Sequence, residues 1–194
     1  WYFGKEFQPV TEESQHRVAA YIHGLCGMQR GGFSVDDFNK GVCPYCEQGA
    51  PRPTNYRLYD YWTQMKAAAP GIDFSLFGSG NDEEEGARCL GEMELAHELK
   101  KHSLTWHFKM HEGFGHSICQ SVISGRPVII PKRFFAFRLA RRYLVPGVTA
   151  FEVDLRRPDH AAGVIKELTS DLEYIQRLTR RCYEAGQGLF DWEW

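Results

Sequence analysis

Glu112 to Ile130 reads EGFGHSICQSVISGRPVII, and this stretch decides the fold. It divides into a glycine-rich turn (Glu112-Gly113-Phe114-Gly115), a short helix from His116 to Ser124, a stop at Gly125, and a strand from Pro127 to Ile130. The run before it, Leu104 to Met110, is LTWHFKM and reads as a strand. Strand, turn, helix and strand make the βαβ unit of a parallel sheet. Such a sheet sets its turns at the carboxyl ends of the strands, where ligands bind. Free N–H groups at a helix start suit a phosphate or another anion. An acidic side chain on the same turn suits sugar hydroxyls, and the combination points to a nucleotide-sugar site.

The pattern extends in both directions. Upstream, Val18 to His23 is a strand and 24–55 a long glycine- and proline-bearing loop. Tyr56 to Ala69 is helical and stops at Pro70-Gly71. Ile72 to Phe77 is a strand running into Gly78-Ser79-Gly80, and an acidic loop leads to a helix from Glu92 to Lys101. Downstream, Arg133 to Tyr143 is a helix and Val148 to Val153 a strand. A single long helix is expected from His160 to Ala185. Regular alternation of strand and helix implies an α/β fold, a parallel sheet with helices on both faces. The expected division is 1–55 as an amino-terminal extension with the first strand and the Cys-containing loop, and 56–194 as the ligand-binding domain, with 17–55 continuous with it.

Composition narrows the function. The chain has 194 residues, 43% hydrophobic and 25% charged, enough apolar material for a sizeable core. A net charge of −2, from 23 basic and 25 acidic residues, gives no support for a nucleic-acid binder or a polybasic membrane anchor. No apolar run approaches the roughly 18 residues of a membrane span. The chain opens at Trp1 and closes on Phe190-Asp191-Trp192-Glu193-Trp194, which reads as a piece of a longer protein.

From Tyr56 to Val153 the sequence resembles the carboxyl-terminal, Rossmann-like nucleotide-binding domain of GT-B fold glycosyltransferases. The residues that carry the resemblance are FSLFGSG at 74–80, HEGFGHSICQSVISGRPVII at 111–130 and RLARRYLVPGVTAFEVD at 138–154. It implies transfer of sugar from a UDP- or GDP-linked donor, without a catalytic metal and with retention of configuration. It also implies an amino-terminal domain that supplies the acceptor site. A cytoplasmic location agrees with reduced cysteines. Glu112 takes the catalytic place, orienting donor-sugar hydroxyls; the alternative is a carboxylate favoured by the helix dipole. Gly78, Gly113, Phe114, Gly115, His116, Ser117, Gln120 and Lys132 take the donor-binding places. The family's second acidic residue falls eight positions after the first, and here that position is Gln120. Gln can pair with a ribose hydroxyl, without the strength of a charge-assisted bond.

Three further features remain open. His107, inside its strand, is expected to be a hydrogen-bonded core histidine. His23, Cys26, Cys43 and Cys46 have spacing suited to a structural zinc; unpaired thiols or a local disulfide are the alternatives. A non-catalytic scaffold that kept the fold, favoured by Gln120 and the Cys-containing loop, and a sugar-nucleotide epimerase are the competing functions.

Overall fold

The computed structural model describes residues 2–4, 6–21, 58–78, 90–107, 115–132, 139–154 and 157–189. Five strands form one parallel sheet: β1 (Arg17–Tyr21), β2 (Asp73–Phe77), β3 (Leu104–Trp106), β4 (Val128–Pro131) and β5 (Ala150–Val153), in the order β2-β1-β3-β4-β5. Five α-helices accompany them among the described residues: α1 (Leu58–Ala68), α2 (Glu92–Lys100), α3 (His116–Ile123), α4 (Pro158–Thr169) and α5 (Leu172–Leu189).

Strand alternation sorts two cores onto the two faces. Val18, Ala20, Trp106 and Ile129 turn to one face and pack against Tyr61, Trp62 and Met65 of α1 and Ala161, Ile165 and Leu168 of α4. Trp106 stacks on both Tyr61 and Trp62, with ring centroids 6.0 and 5.1 Å apart. Ala19 turns the other way, toward α2, Phe3 and Phe77. Val128 and Ile130 meet Ile118 and Val122 of α3. Helix α5 contributes to both faces, with Ile175 and Leu178 in the first core and Cys182 in the second.

The amino-terminal segment is tied into this body. Phe3 is buried in a 3₁₀ turn (Tyr2–Gly4). Arg126, fully buried between α3 and β4, donates to Gln8 O at 2.8 Å and Lys100 O at 2.6 Å. That fork joins the chain start, the end of α2 and the α3–β4 turn.

Two expected elements differ. The single helix at 160–185 is two helices, broken at Ser170-Asp171. Asp171 Oδ1 accepts from Tyr174 N at 2.8 Å, starting α5 afresh as an N-cap. Of the helix expected at 133–143, the described part, Leu139–Tyr143, is a 3₁₀ turn. Thr149 bridges the loop after it, donating to Tyr143 O at 2.6 Å and accepting from Val145 N at 2.7 Å.

Candidate functional site

The strand order reverses direction between β1 and β3, and this is where an open parallel sheet forms its crevice. Tyr21 ends β1 there, and His107 directly follows β3. Gly115 enters α3 with φ +79°, a left-handed conformation that glycine adopts without steric cost. Gly115 O accepts from Cys119 N at 2.9 Å, so the helix starts in full register. Helix geometry leaves the N–H groups of the first turn without intrahelical acceptors, and they face the carboxyl side of the sheet.

Helix α3 is apolar along its body. Ile118, Cys119, Val122 and Ile123 are buried, and burial pushes the Cys119 thiol up to about 12. His116 is exposed, Ser117 is buried and Gln120 is half-buried. Ser117 and Ser121 face His107, which is only 2% exposed. His107 Nε2 lies 3.1 Å from Ser121 Oγ, and Nδ1 lies 3.5 Å from Ser117 Oγ. The hydrogen-bonded core histidine expected from the sequence is present at this end of β3.

The sequence-derived site residues divide by position. Gly115, His116, Ser117 and Gln120 share the start of α3. Gly78 follows β2 on the same carboxyl edge, with φ +127°. Lys132 follows β4 and is exposed. Its backbone N–H donates to Val153 O at 2.8 Å, and its side chain lines a cleft of about 350 Å³ with Glu152, Asp154, Arg157 and His160. The sequence reading assigned no ligand role to those four residues. Their one signal was two carboxylates, Glu152 and Asp154, at a strand end; only β4–β5 pairing brings them beside Lys132. Glu112, Gly113 and Phe114 lie outside the described residues, as do His23, Cys26, Cys43 and Cys46. Among the described residues no group of three or more His, Cys, Asp or Glu side chains could hold a metal ion. No helix among them is long and apolar enough to cross a membrane.

A five-stranded parallel sheet, helices on both faces, and a glycine-entered helix beside the strand-order reversal give the chain the fold of the carboxyl-terminal half of GT-B glycosyltransferases. Three solved structures carry the likeness. The carboxyl-terminal domain of LpcC, a glycosyl transferase group 1 family protein from Francisella tularensis, matches with TM-score 0.54 at 12% identity over 94% of both chains. TarM matches with TM-score 0.57 at 11% identity over 93% of this chain and 34% of its own. Sucrose-phosphate synthase from Thermosynechococcus elongatus matches with TM-score 0.56 at 17% identity over 96% of this chain and 46% of its own. The chain therefore spans about a third of TarM and under half of the synthase, and almost all of the LpcC domain. No family model and no curated protein sequence matches it.

Proposed function

We propose that the chain is the donor-binding part of a glycosyltransferase, holding a UDP- or GDP-linked sugar at the start of α3. The observation that carries this reading is Gly115. Its left-handed φ of +79° opens α3 beside the strand-order reversal, with Ser117 in the first turn. A diphosphate there would meet backbone N–H donors and the positive end of the helix dipole. Stabilisation of a leaving diphosphate by fixed donors needs no metal. Glu112, three residues before Gly115 in the sequence, would orient donor-sugar hydroxyls, and Gln120, one turn along α3, would reach the ribose. Gly78 and Lys132 complete the carboxyl edge on either side. Gly113, Phe114 and His116 flank Gly115 in the sequence and would serve the same anion.

In this reading the acceptor comes from a second, amino-terminal domain, and residues 56–194 together with β1 form the donor-binding unit. The neutral Gln120 favours a second reading, a scaffold that kept the fold and lost the donor. Calorimetric titration with UDP, GDP, UDP-glucose and GDP-mannose decides between them. Binding of one nucleotide series at millimolar concentration or below supports the donor site. Absence of binding by all four at that level refutes it.

A further inference from the structure

We infer that His107 is a positioning residue, and that it commits the Ser117 hydroxyl to accept a hydrogen bond from a ligand hydroxyl instead of donating one to a phosphate. This rests on the reading that the start of α3 holds a nucleotide sugar. The argument starts at Ser121. Its hydroxyl carries one proton, and that proton goes to Ser117 O at 2.8 Å, because a carbonyl only accepts. The 3.1 Å contact between Ser121 Oγ and His107 Nε2 then requires Nε2 to be the donor. With the proton on Nε2, Nδ1 keeps its lone pair. Ser117 Oγ lies 3.5 Å from Nδ1, and in this tautomer Nδ1 can only accept, so in that contact Ser117 is the donor and its proton points inward. The carbonyl and the hydroxyl of residue 117 thus both return to one imidazole, the first through Ser121. The ring is 2% exposed, and the backbone beneath it is fixed by His107 N donating to Ile129 O at 2.9 Å. Buried networks of this kind hold their members in one arrangement.

The consequence is chemical. Ser117 turns lone pairs, not a proton, away from the ring. A phosphate oxygen offers only lone pairs and gains nothing at that spot, so the diphosphate is left to backbone N–H groups. A ribose or sugar hydroxyl can donate to Ser117 Oγ. His107 touches no ligand; it acts through Ser117.

The test compares two ligands, UDP-glucose and inorganic pyrophosphate, by calorimetry on the whole chain. Ser117→Ala should weaken UDP-glucose roughly three- to tenfold and leave pyrophosphate unchanged. His107→Leu should show the same split, and the double variant should lose no more than either single one. His107→Asn places an amide oxygen near the position of Nδ1 and should restore UDP-glucose affinity, a rescue that a purely packing role would not produce. If His107→Leu does not fold, Ser117→Ala and His107→Asn carry the test. Equal weakening of both ligands by Ser117→Ala overturns the inference, because Ser117 would then donate to phosphate. Unaltered binding of both ligands by a folded His107→Leu also overturns it. Wild-type chain that binds neither ligand overturns the donor-site reading itself, and this inference with it.

Discussion

Acidification should destabilise this protein through His102. The residue follows α2 and is completely buried. Nδ1 lies 2.8 Å from Glu98 O, which only accepts, so Nδ1 carries the proton. Nε2 therefore accepts from the Ser75 hydroxyl at 2.9 Å on β2. The ring also meets Phe77 edge-on, at 5.8 Å and 87°. Burial is the main cause that lowers the His102 pKa from 6.5 to about 4, against the opposing pull of the Glu98 carbonyl. A proton added at Nε2 would face a hydroxyl that already points its own proton inward. The folded-state value lies below the unfolded one, so unfolding takes up a proton between them. The contribution is complete above about pH 6.5 and is lost as pH falls toward 4. The difference, 6.5 − 4 at about 1.4 kcal/mol per unit, is about 3 kcal/mol. The assay is urea unfolding, followed by tryptophan fluorescence at several pH values between 7 and 4, for wild type and His102→Asn. The variant can keep one bond to Glu98 O and has no imidazole to charge. With eight histidines in the chain, only the difference between the two curves isolates this one. Wild type should lose about 3 kcal/mol more than the variant over that range. Parallel curves would refute the reasoning.

Three further tests address packing and ligand contacts. Gly125 and Gly147 both hold φ +72°, but a Cβ at Gly125 would lie 2.8 Å from Tyr183 Cβ and 2.9 Å from Thr179 O, while Gly147 has nothing within 4 Å. Gly147→Ala should cost about 1 kcal/mol, from backbone strain alone, and Gly125→Ala about 3 kcal/mol, compared by urea midpoints; equal losses would sink the packing explanation. Arg126→Met should lose about 3 kcal/mol by removing the two short bonds that Nη2 makes to Gln8 O and Lys100 O, and Arg126→Lys should not recover it, because the shorter side chain ends before the position of Nη2; a thermal midpoint within roughly 2 °C of wild type would contradict this. Gln120→Glu should tighten UDP-glucose roughly three- to tenfold through a charge-assisted bond to ribose, with unchanged calorimetric affinity counting against a ribose contact at this position.

Where the sequence read correctly, local and long-range signals agreed. Continuous apolar runs marked β4 and the heart of β1, and Gly115 and Gly125 bracketed α3 because both needed positive φ. Where it misread, two local signals competed. Apolar spacing runs through 160–185 without interruption, because α4 and α5 both bury a face in the same core. The cap at Asp171 was legible as a residue type, yet nothing local said that the helix axis turns there. The entry into α3 was readable because its glycine, Gly115, is a backbone requirement. The His107–Ser117–Ser121 network was not, since it depends on which face of β3 meets which face of α3. The cleft beside Lys132 was equally hidden, because Glu152 and Asp154 reach it only through β4–β5 register.

Helix α5 ties the two sides of the sheet together. Ile175 and Leu178 anchor one half of the helix among the residues of α1 and α4, and Cys182 anchors the other half beside α3. At Gly186 the two helix backbones approach so closely that a methyl group would sit 2.7 Å from Val122 O. Neither layer can therefore loosen while α5 stays docked, and α5 cannot detach without exposing both. The layers on opposite sides of the sheet should therefore share a single opening event instead of breathing separately. In amide hydrogen exchange, the slowest amides of α3 and of α4 would report one common opening free energy, although the sheet lies between them.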